Sequence, residues 1–236
     1  MARIIVTRMP HQAATLCQLI NETGHEAVLF PVLKIEPLNQ AEITKKLRAL
    51  TAADFVVFTS QNTVHRVLES GYNRQFKAIS IGPATSQALE SYGLKPVIEA
   101  ADFISSGLFE VIAQQLKDTD RIWLPQSARA TNELAEKLAT VCEVEHTSVY
   151  TVVEAKREPF QFKADDTVVF TSPSAVIAFI NLLTAEEHQL LSKLTLLSIG
   201  PVTTAVIVEK GLNVAYEAHP YHIEGFRSYF KNQKKV

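Results

Sequence analysis

The chain has 236 residues, of which 47% are hydrophobic, enough to bury one large core or two smaller ones. A formal net charge of -2 and an isoelectric point of about 6.4 exclude the global basic field that attracts nucleic acid or anionic membranes. Its start lacks a secretory h-region, and no apolar run approaches the ~18 residues that a membrane span needs. We therefore expect a soluble, cytoplasmic protein with no nucleic-acid or membrane partner.

Short apolar β-rich runs alternate with segments of helical periodicity along the whole chain. The predicted strands are 3–7, 26–30, 54–58, 78–81, 95–98, 121–124, 143–153, 167–170, 195–199 and 213–217. The predicted helices are 11–22, 41–50, 61–69, 84–92, 106–116, 128–139, 174–183, 202–210 and 223–231, and 32–37 is predicted to be extended. Such alternation is typical of parallel sheets covered by helices, so the sequence predicts the α/β class.

The second half of the chain repeats motifs of the first half in the same order. Two long matches carry the repeat: DFVVFTSQNTV (54–64) with DTVVFTSPSAV (166–176), and SIGPATSQALESYGL (80–94) with SIGPVTTAVIVEKGL (198–212). Most of the eight glycines recur at one fixed spacing: Gly82, Gly93 and Gly107, then Gly200, Gly211 and Gly225. A fainter match at that spacing joins RIIVT (3–7) to RIWLP (121–125). The order a, b, a′, b′, in which a holds two strands and b the rest, predicts two similar α/β domains.

The residues leave open which segments pack together. Segment a can share a sheet with b, its neighbour in the chain, or with b′. The extended segments 32–37 and 148–153 suit the two crossings that a discontinuous arrangement requires.

Each repeat places Thr-Ser where a predicted strand becomes a helix, in FTSQNTV (58–64) and FTSPSAV (170–176). Ser60 and Ser172 suit the N-cap and Pro173 the first helical position, so capping alone is one explanation. Ligand binding is the other, because a helix N-terminus presents free N–H groups and a positive dipole end to an anion. Open α/β folds bind their ligands at the carboxyl edge of the sheet, where these turns are predicted.

A Gly-Pro turn follows a second strand in each repeat, in IGPAT (81–85) and IGPVT (199–203). The glycine permits close approach of the backbone, and the proline starts a helix. The turns also carry hydroxyl groups: Thr85, Thr203 and Thr204. A purely structural turn is the alternative. Neither motif is a P-loop or a GxGxxG fingerprint, so nucleotide binding is not supported.

Other kinds of site find little support in the residues. His219 and His222 are the closest histidine pair and have no third ligand nearby, so we expect no metal site. No serine lies in GxSxG, and Cys17 and Cys142 lack both CxxC spacing and a local activating partner. Arg8 directly follows the first predicted strand, a position that suits an anionic ligand, although a surface arginine is the alternative.

Taken in order, these blocks resemble the uroporphyrinogen-III synthase family over the whole chain. The opening IIVTRMPHQAATLCQLINETGHEAVLFPVLKIEP (4–37) is similar to that family's opening. The later blocks are similar in the same order: FTSQNTV, SIGPATSQAL, SSGLFEVI, SVYTVV, FTSPSAV and SIGPVTTAV. Each block alone is a weak signal, and the ordered set is more specific.

The resemblance implies two similar parallel-sheet domains of flavodoxin or Rossmann type, joined by a two-stranded linker, one domain being discontinuous. By this analogy one domain is 1–35 plus 153–236, the other is 38–150, and the crossings lie near 32–38 and 148–153. It thereby implies that segment a packs with b′.

The resemblance also implies a lyase reaction of tetrapyrrole (haem) biosynthesis. Hydroxymethylbilane, a linear tetrapyrrole polycarboxylate, loses its hydroxyl as water, ring D is inverted through a spiro intermediate, and the macrocycle closes. No cofactor and no metal are implied, and we expect a monomer whose partner is this small-molecule substrate.

The site residues follow from matching motifs. Tyr150 in SVYTVV matches the family's tyrosine and is a candidate general acid for departure of the hydroxyl. Substrate contacts are expected from hydroxyl-bearing residues and one arginine: Arg8, Thr59, Ser60, Thr85, Ser172, Ser174, Thr203 and Thr204.

The chain departs from the family pattern at three places. Gln126-Ser127 and Thr131-Asn132 stand where Arg-Gly and Arg-Glu are frequent, and Arg129 is the candidate to replace the lost charge. Ser106 stands where glutamate is common, and Tyr221-His222 replaces Pro-Thr. These departures affect the expected contacts of the second domain most.

Two other classes of function remain as alternatives. A non-catalytic ligand-binding module of the periplasmic type has a similar double crossing, but the sequence shows no signal peptide or DNA-binding segment. A glycosyl- or phosphoryl-transfer enzyme is disfavoured by the missing phosphate loop and the missing DxD and HRD motifs.

Overall fold

The computed structural model describes residues 1–69, 75–100 and 105–233. The FISSGLF segment begins at Phe103, so its first two residues lie outside these ranges. Contacts between Cα atoms divide the chain into two compact units: unit 1 is Met1–Lys34 with Val153–Val236, and unit 2 is Ile35–Val152.

The elements are numbered in chain order. The strands are β1 (Arg3–Val6), β2 (Glu26–Leu29), β3 (Leu33–Pro37), β4 (Phe55–Phe58), β5 (Lys77–Ser80), β6 (Ile98–Glu99), β7 (Arg121–Ser127), β8 (Glu143–Glu154), β9 (Thr167–Phe170), β10 (Thr195–Ser198) and β11 (Val214–Glu217). The helices are α1 (Pro10–Glu22), α2 (Gln40–Ala49), α3 (Gln61–Leu68), α4 (Pro83–Ser91), α5 (Ser105–Gln115), α6 (Glu133–Leu138), α7 (Pro173–Leu182), α8 (Ala185–His188), α9 (Pro201–Glu209) and α10 (Arg227–Asn232), the last preceded by a 3₁₀ turn (Ile223–Phe226).

The two sheets share one strand order. Unit 1 has the order β2-β1-β9-β10-β11, and the other sheet has β3-β8-β7-β4-β5-β6, so its last five strands repeat the arrangement. The pairings within these two sets of five strands are parallel. Each set follows the flavodoxin-like order 2-1-3-4-5. The predicted class of parallel α/β domains is confirmed, and β1 pairs with β9, as the crossed arrangement requires.

The sheet of unit 1 is buried on both faces because side chains alternate along its strands. Ile5 and Val168 pack with Phe30 and the helix residue Phe179 on one face. Ile4, Val6, Val169 and Leu197 face the opposite cluster, which includes α1 and α10 residues: Leu16, Ile20 and Phe230. Burial of both faces explains why these strands are continuous apolar runs in the sequence.

The sheet of unit 2 follows the same rule. Val56 and Phe58 face α2, α3 and α4, where they join Trp123, Val149 and Tyr150 in one cluster. Phe55 and Val57 face α5 and α6 in the other. The side chain of Tyr150 is therefore anchored in a core while its hydroxyl is a polar handle.

Equivalent glycines end equivalent helices. Gly93 after α4 and Gly211 after α9 have φ of +75° and +74°, a left-handed conformation that L side chains rarely adopt. Their backbone N–H groups donate to Glu90 and Val208, three residues earlier, at 2.8 and 2.9 Å. This conformation explains why glycine recurs at that place in the repeat.

Two predicted elements were wrong in extent. The helix predicted for 128–139 begins at Glu133, because β7 continues to Ser127 along β8 and a turn follows, in which Ala130 N–H donates to Ser127 O at 2.9 Å. The strand predicted for 95–98 is Ile98–Glu99, because pairing with β5 is confined to those two residues. Helix α8, which begins with a capping box between Thr184 and Glu187, was not predicted at all.

A buried aspartate and an arginine form an ion pair at the amino edge of each sheet. Arg3 Nη1 lies 3.5 Å from Asp166 Oδ1 between β1 and β9, and Arg121 Nη2 lies 2.7 Å from Asp54 Oδ1 between β7 and β4. Burial favours the neutral acid, but hydrogen bonds from Thr51 and the Arg121 charge together lower the pKa of Asp54.

We expect Asp54→Asn to lower the free energy of unfolding at pH 7 by about 2 kcal/mol, since hydrogen bonds to a buried carboxylate are lost. A carboxyl group with a lowered pKa stabilises the fold above its unfolded pKa and loses this contribution as the pH falls through the folded value. The difference between variant and wild type should thus shrink below pH ~3.9. Urea unfolding at both pH values measures it, with Glu133→Gln in the exposed Lys137 pair as a control that changes little.

Candidate functional site

The carboxyl edge of unit 1 gathers polar residues from four neighbouring strands. Arg8 follows β1, Ser172 follows β9, the Gly200 turn follows β10, and Glu217 ends β11. At the centre, Thr7 Oγ1 donates to Val169 O at 2.8 Å and ties β1 to β9. This is the point where the strand order reverses, and open α/β sheets bind ligands in the crevice there.

Unit 2 presents the same edge with different side chains. Gln126 lies near the end of β7, Ser60 follows β4, the Gly82 turn follows β5, and Glu99 ends β6. Tyr150 of β8 is in register with Ser127 at the end of β7. The phenol is thereby level with the strand ends rather than with the middle of the sheet.

The two Thr-Ser turns cap helices, as predicted. Ser60 Oγ accepts the backbone N–H of Thr63 at 3.1 Å, and Ser172 Oγ accepts that of Ala175 at 3.2 Å. Thr59 is half-buried beside the cap of α3, and the hydroxyls of Ser172 and Ser174 are 3.2 Å apart. Pro173 has no N–H, and the backbone N–H groups of Gln61 and Ser174 lie in the first turn, where a helix supplies no acceptor of its own.

The Gly-Pro turns bury part of their hydroxyl groups. The backbone N–H of Thr85 donates to Gly82 O at 3.0 Å and that of Thr203 to Gly200 O at 3.1 Å. Thr85 is 4% exposed and Thr203 is 3% exposed, so both side chains belong to the turn's interior. Thr204 is half-buried, and its hydroxyl donates to the Glu217 carboxylate.

Tyr150 and Ser60 are brought together from β8 and the β4–α3 turn. The Tyr150 Oη lies 3.3 Å from Ser60 Oγ, which also lies 2.9 Å from Thr63 Oγ1. Tyr150 is 5% exposed, and its own carbonyl accepts the backbone N–H of Ala128 at 2.8 Å. The phenol is therefore fixed by core packing and held at the N-terminus of a helix.

Arg8 and Gln126 occupy equivalent places and share an unusual property. Arg8 follows β1 and Gln126 lies near the end of β7, the equivalent strand of unit 2, and 118 residues separate them, as they separate Gly82 from Gly200. Arg8 Nε and Gln126 Oε1 are buried, and neither has a hydrogen-bond partner among the described residues. Burial lowers the pKa of the Arg8 guanidinium. A buried polar atom without a partner costs free energy, so its presence needs an explanation, and a functional role is one of them.

Three residues of this edge were missed by sequence reasoning: Gln126 as a polar counterpart of Arg8, and the carboxylates Glu99 and Glu217. The 118-residue spacing contains the signal, because it pairs Glu99 with Glu217 as it pairs the glycines. Arg129 is exposed in the turn after β7.

A small cavity of about 90 Å³ lies at the opposite, amino edge of unit 2. Four of its five charged lining residues form two ion pairs, Lys46 with Glu145 and Arg121 with Asp54, and the fifth, Glu143, is exposed. Both cationic side chains are thus already paired with carboxylates, so the cavity offers little to an anionic ligand.

Neither membrane insertion nor metal binding is indicated in the parts of the chain that the structure describes. Within the described ranges no helix has the length and apolar character needed to cross a bilayer. The same residues hold no group of three or more His, Cys, Asp or Glu side chains placed to bind a metal ion. Burial raises the pKa of the thiols of Cys17 and Cys142, which disfavours the nucleophilic thiolate.

Comparison with known proteins decides the family. The family model described as "Uroporphyrinogen-III synthase HemD" matches residues 14–227, which is most of the chain. The chain belongs to the uroporphyrinogen-III synthase family. The enzyme class predicted from the sequence, a cyclising lyase, is thereby confirmed, and the non-catalytic ligand-binding module is not favoured.

Relatives support the family membership over nearly the full length. A putative uroporphyrinogen-III synthase of Methanothermobacter thermautotrophicus is 24% identical, and the match covers 88% of this chain and 89% of the relative. The uroporphyrinogen-III synthase of Chlorobaculum parvum is 26% identical over 91% of this chain and 92% of its own.

Solved structures show the same fold. The uroporphyrinogen-III synthetase of Helicobacter pylori superposes with a TM-score of 0.65 at 16% identity, covering 100% of both chains. A mutant uroporphyrinogen III synthase of Thermus thermophilus has a TM-score of 0.53 at 17% identity, also over 100% of both. At such low identities the likeness establishes the fold.

Proposed function

We propose that this protein converts hydroxymethylbilane to uroporphyrinogen III, with loss of one water and inversion of ring D. The match of residues 14–227 to the uroporphyrinogen-III synthase family carries the proposal. We further propose that the domains are 1–35 plus 153–236 and 38–150, in support of which the compact units have nearly the same bounds. We also propose that the protein is a cytoplasmic monomer that works without metal or cofactor.

The substrate carboxylates are bound by N–H groups and by one arginine. Each Thr-Ser turn presents a backbone N–H at a helix N-terminus, that of Gln61 in unit 2 and that of Ser174 in unit 1. The helix dipole adds to the attraction for an anion at these ends. Arg8 supplies a guanidinium whose Nε has no partner among the described residues. We propose that these groups, with the hydroxyls of Thr59, Ser60, Ser172 and Ser174, bind acetate and propionate groups.

In this proposal the side chains of Thr85, Thr203 and Thr204 do not contact the substrate themselves. Because Thr85 and Thr203 are buried, they shape the Gly-Pro turns from within. The turns then offer a substrate carboxylate the backbone N–H groups of Ala84 and Val202, since each preceding proline has none.

The chemical step begins at the hydroxymethyl group. Tyr150 donates its phenolic proton to the leaving oxygen while the pyrrole nitrogen pushes electrons toward the breaking C–O bond, and water departs. The substituted carbon of ring D then attacks the methylene carbon of the azafulvene, forming the C–C bond of the spiro intermediate. The bond between that ring D carbon and the methylene of ring C then breaks, and the freed methylene bonds to the unsubstituted α carbon of ring D. That carbon loses its proton as the macrocycle closes, which balances the proton that Tyr150 gave. Binding that holds ring D in this orientation supplies much of the rate.

Activity is tested by incubating the purified protein with enzymatically made hydroxymethylbilane and separating the type I and type III isomers by chromatography. We expect the type III isomer to dominate. Binding of hydroxymethylbilane with the type I isomer alone, which spontaneous closure gives, would reject the enzyme and favour a ligand-binding module.

Dialysis against a strong chelator should leave the rate of type III formation unchanged, because the proposed step relies on a phenol and backbone groups. The rate before and after dialysis, with a mock-dialysed sample as control, measures this. A loss of activity that a divalent ion restores would contradict the metal-free mechanism.

A further inference from the structure

A hydroxyl–carboxylate pair occurs at the same place in both units. In unit 1 the Thr204 hydroxyl donates to Glu217 Oε2, and in unit 2 the Ser86 hydroxyl donates to Glu99 Oε2. Both pairs join the first turn of the helix after a Gly-Pro turn to the end of the edge strand. Each residue of one pair lies 118 residues from its counterpart in the other pair. Duplication over so diverged a repeat indicates that the arrangement is more than an accident of one surface.

The carboxylates stand at the edge where substrate carboxylates are proposed to bind. Glu217 ends β11 beside β10, and Glu99 ends β6 beside β5, so each lies next to a Gly-Pro turn. Glu217 is half-buried and Glu99 is exposed. Within the described ranges, the ion pairs of the chain involve neither carboxylate. A negative charge at this edge would repel a polycarboxylate and therefore needs an explanation.

The hydrogen-bond donors and acceptors of each pair explain why a negative charge lies at this edge. A carboxylate has acceptor sites alone, and a hydroxyl that donates its proton to a carboxylate has lone pairs left and nothing more to donate. In unit 2 the chain of hydrogen bonds is longer, because Ser80 Oγ lies 2.6 Å from Ser86 Oγ. Since Ser86 donates its only hydroxyl proton to Glu99, Ser80 is the donor to Ser86. Each pair is thus a negative acceptor that suits N–H donors. Hydroxymethylbilane carries such donors, since each of its pyrrole rings has an N–H.

We propose that Glu217, oriented by Thr204, and Glu99, oriented by Ser86, bind the substrate by accepting hydrogen bonds from pyrrole N–H groups. The proposal rests on the proposed function and adds the recognition of the pyrrole core to that of the carboxylate periphery. The hydroxyl partners are positioning residues, because they fix the carboxylate without contacting the substrate themselves.

The substitution Glu217→Gln should change KM in opposite directions, depending on whether this edge binds pyrrole N–H groups or substrate carboxylates. Glutamine keeps the size of the side chain and an oxygen for the Thr204 hydroxyl, but it loses the negative charge that strengthens an N–H bond. We expect KM for hydroxymethylbilane to rise about 5- to 10-fold with kcat nearly unchanged, and Glu99→Gln to act in the same direction. A lower KM would show that this edge binds substrate carboxylates and would overturn the proposal.

Controls separate binding from folding. Glu209→Gln makes the same charge change at the exposed end of α9 and should leave KM unchanged. Thr204→Ser keeps the donor and should retain the wild-type KM, whereas Thr204→Val should raise it. An unchanged KM in both glutamine variants, with a lower thermal midpoint, would make the pairs purely structural and reject the proposal.

Two further points keep the test decisive. If Glu217→Gln does not fold, Glu99→Gln decides alone, because the exposed Glu99 carboxylate is replaceable without disturbing a core. Wild-type protein must first form the type III isomer. Absence of that product refutes the proposed function, while normal wild-type activity with unchanged KM in the variants refutes only the pyrrole contact.

Discussion

Tyr150→Phe should slow formation of the type III isomer about 10- to 100-fold while the protein stays folded. Positioned acid catalysis is typically worth ~10²–10⁴-fold, and a leaving group assisted by the pyrrole nitrogen asks for less. Phenylalanine keeps the ring that packs with Phe58 and Trp123, and it removes the hydroxyl that lies 3.3 Å from Ser60 Oγ. Initial rates, thermal midpoints and the ratio of type I to type III product measure the effect.

Two further variants separate acid catalysis from packing. Tyr92→Phe removes another phenol of unit 2, one that lies 3.0 Å from His65 Nδ1, and should leave the rate unchanged. Ser60→Ala removes both the N-cap of α3 and the partner of Tyr150, so it should cost about 1 kcal/mol of stability and also slow the reaction. A wild-type rate for Tyr150→Phe at unchanged stability would refute the acid role, and a rate that falls only with the folded fraction would assign Tyr150 to packing.

Local signals in the sequence predicted the parts of the edge that depend on neighbouring residues. The Thr-Ser caps at Ser60 and Ser172 were predictable because capping is decided within four residues of the chain. The Gly-Pro turns were predictable for the same reason. The repeat predicted two similar sheets, because the same motifs in the same order imply similar structures.

Contacts between neighbouring strands were beyond reach of local patterns. The Glu217 carboxylate contacts Thr204 because β11 lies beside β10. The residue pattern within a strand does not indicate which strand lies next to it. Likewise, no pattern predicts that Gln126 is buried with an oxygen that lacks a partner among the described residues. The strand predicted for 121–124 was too short because pairing with β8 keeps β7 extended to Ser127, and the turn that follows delays the helix predicted for 128–139 until Glu133. In each case tertiary pairing overrode the local preference.

Arg8→Met should raise KM for hydroxymethylbilane about 10-fold or more and leave the stability equal to or above that of wild type. The loss of a charge-assisted contact to a substrate carboxylate accounts for the change in KM. The stability follows from the unliganded protein, in which Arg8 Nε is buried without a hydrogen-bond partner among the described residues. Methionine fills the same space without the cost of burying a cation, so the free energy of unfolding should rise by up to about 1 kcal/mol.

Arg3, at the other end of β1, is the matched control for Arg8. Its Nη2 donates to Gln161 O at 2.9 Å, and its Nη1 lies 3.5 Å from the fully buried carboxylate of Asp166. Arg3→Met removes the charge partner of Asp166, so it should lower the free energy of unfolding by about 2 kcal/mol and leave KM unchanged. Urea unfolding and steady-state kinetics on both variants give the comparison. If Arg8→Met behaves like Arg3→Met, with lower stability and an unchanged KM, Arg8 is a structural residue and the anion contact proposed for it is wrong.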